Sequence, residues 1–180
     1  MEFHKRQKLT SGRAGNPGLQ FSWEQFPAGE MDTMSAVIYD CPFGWERLLP
    51  FGSRRLRTAK ELTEHNWTLL ALTPTGCLRL GDRKPVCRLL LAPGDCPERL
   101  AGIQAETVIT YGLSPRDSLT LSSLTEPLLC IQRTLPRLDG TTVDPQELPL
   151  PPLPAPAEEL LPLLGLRLLQ LPLTEELFPW

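Results

Sequence analysis

Residues 86–111 read VCRLLLAPGDCPERLAGIQAETVITY, and this stretch decides the fold class. Val86 to Leu91 is a nearly continuous apolar run bounded by Pro85 and Pro93. Such a run is typical of a strand that is buried on both faces, as in a parallel sheet covered by helices. We therefore predict a strand at the centre of the sheet.

The residues after this strand predict a short helix and then a second strand. Asp95 stands where an N-cap belongs, Pro97 falls close to the first turn, and Glu98 adds a carboxylate near the positive end of the helix dipole. The helix is expected to end near Ile103, and Glu106 to Tyr111 forms the next strand. Strand, helix and strand in this order imply a right-handed parallel crossover.

The segment before this unit shows the same alternation of short strands and helical stretches. Ala36 to Tyr39 is rich in β-branched and aromatic residues and predicts a first strand. Thr58 to His65 predicts an amphipathic helix, Trp67 to Leu72 a second strand, and Pro74-Thr75-Gly76 a turn.

The pattern after Gly112 indicates an antiparallel meander with one solvated face. Ser118 to Leu124 alternates polar and apolar residues, Leu128 to Leu135 does so less strictly, and Asp139-Gly140 is a turn dipeptide before Thr141 to Leu148. A meander following a crossover predicts an α/β domain built on a small sheet in two or three layers.

A Leu-rich helix is predicted at the C-terminal end, from Ala157 to Leu171, because Pro156, Glu158 and Glu159 suit a first helical turn. Its apolar residues lie nearly all round the helix. Two explanations stay open: the helix is buried in its own domain, or it meets a protein partner.

Composition indicates one domain, residues 34–180. The chain has 180 residues, of which 41% are hydrophobic and 22% charged, as in ordinary globular proteins. Residues 1–33 lack hydrophobic periodicity and predict a disordered leader, and Met34 is an alternative start.

The net charge of −3 and the scattered basic residues disfavour nucleic acid as a partner.

The cysteines and the longest apolar stretch indicate the cellular compartment of the protein. The five cysteines are odd in number and form no C-x-x-C pair, so we predict free thiols in a cytoplasmic protein and neither a disulfide framework nor a zinc site. The longest apolar stretch, residues 160–173, is interrupted by Pro162, Arg167 and Pro172. It predicts no membrane span.

The common catalytic constellations are missing from the sequence. It has no phosphate-binding loop, no G-x-G-x-x-G, no G-x-S-x-G and no H-E-x-x-H. The two histidines are His4, in the leader, and His65, which we expect to cap carbonyl groups at a helix end. Cys96 is the best candidate nucleophile because it falls at a predicted helix N-terminus, but no base is indicated beside it.

The remaining acidic groups have simpler interpretations. Asp139 and Asp144 flank a turn and suit turn chemistry better than acid/base catalysis. Arg116 and Asp117 suit a loop ion pair. We therefore predict no catalytic residue, no metal site and no cofactor.

One set of segments carries a family resemblance. Leu89 to Pro97, the short helix, Val108 to Ser114 and the run Leu148 to Pro151 before a helix resemble the second half of the central domain of Mur ligases. Those enzymes use ATP to join amino acids to UDP-muramoyl precursors of the cell wall. Asp95 matches the acidic part of a family motif whose asparagine is replaced here. Thr110-Tyr111-Gly112 matches the Thr-Tyr-Gly or Thr-Phe-Gly sequence with which the next strand ends in that family.

The departures from the family are specific. The phosphate-cradling loop is missing, and the chain has no room for the outer two domains of a Mur ligase. The resemblance therefore implies a truncated and non-catalytic relative, an accessory or regulatory factor of the bacterial cytoplasm that acts through a protein or a small ligand.

The ligand-site candidates are Asp95, Thr110, Tyr111 and Gly112, because they lie at the carboxyl ends of predicted parallel strands. Two other functions stay open. One is an enzyme acting on nucleotide or UDP-muramoyl substrates. The other is an assembly subunit that docks through the helix Ala157 to Leu171.

Overall fold

A mixed eight-stranded sheet is the centre of the computed structural model, which describes residues 36–123 and 125–172. The strands are β1 (Ala36–Tyr39), β2 (Ser53–Leu56), β3 (Asn66–Leu72), β4 (Val86–Pro93), β5 (Gln104–Tyr111), β6 (Leu119–Leu121), β7 (Leu128–Ile131), β8 (Leu135–Pro136), β9 (Thr142–Val143) and β10 (Gln146–Pro149). The α-helices are α1 (Pro74–Arg79), α2 (Pro97–Leu100) and α3 (Ala157–Gln170), and two short 3-10 helices cover Trp45–Leu48 and Glu61–Thr63.

The strand order across the sheet is β10-β7-β6-β5-β4-β3-β1-β2. The run from β2 to β6 is parallel, whereas β7 pairs antiparallel with both β6 and β10. Strands β8 and β9 form a separate antiparallel ribbon. The predicted α/β fold, with a parallel crossover and an antiparallel meander, is confirmed. The apolar run from Val86 is flanked by β3 and β5, as expected for a central strand.

Helix α3 covers one face of the sheet and packs against β1, β3, β4, β5 and β6. Its leucines are buried with apolar side chains from alternate strand positions, such as Ile38 and Leu91. Gly165 allows close approach, because a Cβ there would lie 2.8 Å from a methyl carbon of Leu91. The helix predicted to be buried or partner-bound is thus buried by its own sheet. This burial leaves little apolar surface on α3 for a partner.

The carboxyl end of α3 is held by the β8–β9 ribbon. The Arg137 side chain is buried and donates to the carbonyl oxygens of Leu168 and Leu171. The N–H of Leu138 donates to the Leu169 carbonyl at 2.9 Å. These donors satisfy carbonyl groups that the last helical turn leaves without intrahelical partners.

The opposite face of the sheet is covered by α1, α2 and the 3-10 helix Glu61–Thr63. Its core contains alternate strand residues such as Val37, Leu70 and Leu90, with Leu62 and Leu80 packed over them. Each covering helix is short, and none spans the sheet. The domain therefore has three layers, with one long helix on one face and several short ones on the other.

Three local predictions were wrong. Thr58 to His65 does not form an α-helix, since only Glu61–Thr63 is helical and that turn is a 3-10 helix. The Leu62 carbonyl instead accepts from the Trp67 indole N–H at 2.9 Å. Pro74-Thr75-Gly76 is the first turn of α1 and not a separate turn. Helix α2 ends at Leu100 instead of Ile103.

No helix within the described ranges is long and apolar enough to cross a membrane. The leader predicted for residues 1–33 and the alternative start at Met34 lie outside the described residues.

Candidate functional site

The connection direction reverses between β1 and β3. From β1 the chain moves to β2 on one side, and it then returns past β1 to build β3, β4 and β5 on the other side. In open parallel sheets of this order, the crevice at the carboxyl ends of the two strands that flank such a reversal is the usual ligand site. The topology thus directs attention to the residues after Tyr39 and Leu72.

Polar groups from both strands meet at this switch point. Asp40 follows β1, and its carboxylate accepts from the Arg79 guanidinium at 2.9 Å. The hydroxyl of Thr73, after β3, lies 3.1 Å from the Asp40 carbonyl oxygen and accepts from the Gly76 N–H at 2.9 Å as the N-cap of α1. Thr75 adds an exposed hydroxyl, 3.4 Å from the same carbonyl.

The backbone of Asp40 has a positive φ of 56°, which is uncommon for a residue other than glycine. Residues held in this region occur often at functional sites, where the surrounding structure maintains them. Here the Asp40 N–H donates to the Leu56 carbonyl at 3.1 Å, while the side chain is held by Arg79. The Arg79 side chain is 69% exposed and the Asp40 side chain 13% exposed, so the guanidinium is the member of the pair that faces solvent.

Asp95 does not have the predicted role of N-cap. The residue that precedes α2 is Cys96, and no side-chain hydrogen bond caps this helix. Asp95 is exposed and stands one residue earlier. The predicted cap was therefore wrong, although Asp95 does lie beyond the carboxyl end of β4.

Thr110 and Tyr111 support the end of β5. The Thr110 hydroxyl accepts from the Ser118 N–H at 3.2 Å, which joins β5 to the segment leading into β6. The Tyr111 hydroxyl donates to the Leu72 carbonyl at 2.7 Å. Burial raises the pKa of this phenol, so it stays protonated.

Gly112 provides space for Asp117, which the sequence did not single out as a site residue. Asp117 is 6% exposed, and a Cβ on Gly112 or Gly94 would lie 2.5 Å or 1.7 Å from its carboxylate oxygens. The carboxylate accepts from the Ser114 N–H at 3.2 Å. Its surroundings are those of a structural aspartate between β4 and β5, and the predicted ion pair with Arg116 does not occur among the described ion pairs.

No disulfide joins the five cysteines in the structure. Cys41, Cys77, Cys87 and Cys130 are buried, whereas Cys96 is partly exposed. Burial and the neighbouring Cys77 raise the pKa of the Cys96 thiol to about 12. A helix N-terminus was expected to favour the Cys96 thiolate, and the surroundings do the opposite.

The other residues weighed from the sequence lie away from the switch point. The exposed His65 ring packs edge-on against Trp67, with ring centroids 5.4 Å apart, and does not cap an α-helix. Asp139 accepts from the Thr141 N–H at 2.9 Å, which confirms turn chemistry at this residue. Asp144 accepts from the Thr134 hydroxyl at 3.2 Å, a contact between residues ten positions apart and not a turn hydrogen bond. Among the residues that the structure describes, no cluster of His, Cys, Asp and Glu could hold a metal ion.

Comparison with known proteins found no match. No protein-family model, no curated protein and no solved structure is significantly similar to this chain. The site is therefore described by its own geometry. Topology brings Asp40, Thr73, Thr75 and Arg79 together at one edge, and the four residues predicted from the sequence lie along the same edge at the carboxyl ends of β4 and β5.

Proposed function

We propose that this protein is a non-catalytic accessory factor that binds a small polar ligand at the β1/β3 switch point. The observation that carries the proposal is the ion pair between Asp40, which follows β1, and the solvent-facing guanidinium of Arg79, in the helix that follows the adjacent parallel strand β3. Open α/β sheets bind ligands at this position because strand connections diverge there and leave a crevice.

The chemistry of the pair favours a ligand that carries both hydroxyl groups and an anion. Arg79 donates charge-assisted hydrogen bonds, which suit a phosphate or carboxylate. Asp40 accepts hydrogen bonds and suits a sugar hydroxyl, and Thr75 both donates and accepts. A nucleotide sugar has both kinds of group. Together with the resemblance to Mur ligases, this chemistry favours a UDP-muramoyl compound and a role in bacterial cell-wall synthesis in the cytoplasm.

The state of the reactive groups along this edge supports binding without turnover. The Tyr111 hydroxyl is committed to the Leu72 carbonyl and the Asp117 carboxylate to the Ser114 N–H. The Cys96 thiol, with a pKa near 12, is a poor nucleophile at neutral pH. The Tyr111 and Asp117 side chains are therefore committed to the fold and are not poised for proton transfer, and the high pKa makes Cys96 a slow nucleophile.

The test is calorimetric titration of the chain with UDP-N-acetylmuramoyl-L-alanine, and separately with ATP and magnesium. We expect the first ligand to bind and to be recovered unchanged. In the variant Arg79→Gln, affinity should fall by about tenfold to a hundredfold, the range expected for losing a hydrogen bond to a charged group.

The matched control is Lys60→Gln, which removes another exposed cation from an ion pair elsewhere on the surface. This variant should bind as the parent chain does. The proposal fails if neither ligand binds or if the two variants bind alike. Recovery of a converted ligand would instead favour an enzyme.

A further inference from the structure

Two cysteines that are distant in sequence meet beside the carboxyl ends of β3 and β4. The sulfur atoms of Cys77 and Cys96 lie 2.7 Å apart. Cys77 belongs to α1, and Cys96 directly precedes α2. No spacing motif joins them, because 19 residues separate the pair along the chain.

The approach of the two sulfur atoms follows from the sheet. Strands β3 and β4 are parallel neighbours, so the segments that follow them leave the same edge side by side. The Thr73 side chain caps α1 and fixes where Cys77 stands, while Pro97 begins α2 immediately after Cys96. The contact is thus set by backbone elements and not by flexible side chains.

Solvent reaches the pair through Cys96, because Cys77 is fully buried. Cys96 is partly exposed. Cys77 lines an open cleft of about 240 Å³ between α1 and α2, whose other lining residues include three cations, Arg83, Lys84 and Arg99, and two carboxylates, Asp82 and Glu98. The cations outnumber the acids, so the charge of the cleft beside Cys77 is weakly favourable for a small anionic reagent.

We propose that Cys77 and Cys96 are a reversible redox site, which a small disulfide of the glutathione class converts to an intramolecular disulfide. The Cys96 thiolate attacks one sulfur of oxidised glutathione, forms a mixed disulfide and releases one glutathione thiolate. The Cys77 thiol loses its proton to solvent and attacks the Cys96 sulfur, which releases the second glutathione. Two protein thiols are oxidised, and one disulfide is reduced to two thiols.

The remaining cysteines do not compete for this reaction. Cys41 and Cys87 are buried in the cores on opposite faces of the sheet. Cys130 donates weakly to the Glu147 carboxylate. The high thiol pKa of Cys96 makes the reaction slow at neutral pH, since only the thiolate attacks.

Peptide mapping of the full chain tests the proposal directly. The folded protein is incubated with excess oxidised glutathione at mildly alkaline pH, alkylated with iodoacetamide, and digested with trypsin without reduction. Trypsin places the five cysteines in five different peptides, with Cys77 in residues 61–79 and Cys96 in residues 89–99. We expect these two peptides to be linked, with the other three cysteines alkylated.

The controls separate a fold-directed bond from random oxidation. The same reaction in concentrated urea should lose its preference for this pair, and dithiothreitol should return all five thiols. The variant Cys130→Ser should still form the link, whereas Cys96→Ser should retain Cys77 as an alkylated thiol. The proposal is overturned if the folded parent chain keeps all five thiols, stops at glutathione on Cys96, or links any other pair.

Discussion

The two faces of the sheet are covered in different ways. One face lies under one long helix, α3, whose end is fixed by hydrogen bonds from Arg137, with the short 3-10 helix Trp45–Leu48 beside it. The other lies under short helices of six, four and three residues. The second face borders the α1/α2 cleft and the cysteine pair.

The two coverings suit different roles, one in stability and the other in chemistry. A long helix docked along several strands cannot move without losing many contacts at once, so it stabilises the domain. Short helices with few buried residues each can shift separately, and chemistry tends to lie where backbone is held less firmly. The following experiments test whether the two faces differ in this manner.

The largest effect on the free energy of unfolding is expected for Leu91→Ala, with Leu90→Ala as the comparison. Both leucines are fully buried in β4, but Leu91 packs under α3 and Leu90 under the short helices. Because the cavity under a rigid helix cannot collapse, we expect losses of about 4 kcal/mol for Leu91→Ala and about 2 to 3 kcal/mol for Leu90→Ala in urea unfolding. Equal losses would remove the proposed distinction between the faces.

The second-largest effect on stability is expected on the face with the short helices. Closing the Cys77–Cys96 loop should stabilise the oxidised chain by about 3 kcal/mol, because a crosslink of this span restricts the unfolded state. Thermal unfolding of oxidised and reduced samples measures the gain. An oxidised sample that melts at or below the reduced one would mean that the bond strains the native backbone.

A smaller effect is expected where β4 and β5 leave the sheet. Gly94→Ala should cost about 2 kcal/mol, since the added methyl would overlap the Asp117 carboxylate. In the background of Asp117→Ala the same change should cost less than about 0.5 kcal/mol, which a double-mutant cycle measures. If the two costs are alike, the glycine is needed for another reason.

The smallest effect is expected at the exposed rim of the α3 face. Hydrogen bonds from Arg55 and from the Gly44 N–H lower the pKa of Glu46 to about 2. A lowered carboxyl pKa stabilises the fold above pH 4.5, and this contribution is lost as the pH falls toward 2. The difference in melting temperature between the parent chain and Glu46→Gln should therefore shrink across that range. A constant difference would contradict the assignment.

Sequence reasoning succeeded where a single pattern determines the element. The β-branched run Ala36–Tyr39, the apolar run from Val86 and the helix after Pro156 all occur in the structure, because each signal is local and strong. It failed at Pro74-Thr75-Gly76, where the turn residues outweighed Thr73 as an N-cap before a proline at the first helical position.

The site was predicted only in part, because it depends on contacts between distant segments. The expectation that ligand groups lie at the carboxyl ends of parallel strands follows from strand order alone, and the sequence did not reveal that β3 returns to the side of β1 opposite β2. The same limit applies to Asp117, which looked like a surface residue beside Arg116. It applies also to Cys77 and Cys96, whose contact requires the register of β3 and β4.

The α3 helix also sets the order in which a newly made chain can mature. It follows every strand in sequence, yet it contacts β1, and Arg167 donates to the carbonyl oxygen of Leu48 at 2.9 Å across 119 residues. During translation, the apolar face that α3 covers stays open to water until residue 170 has emerged. Such long-range closure slows folding and leaves hydrophobic surface exposed meanwhile. The sheet face under α3 is therefore most open to aggregation before the helix docks.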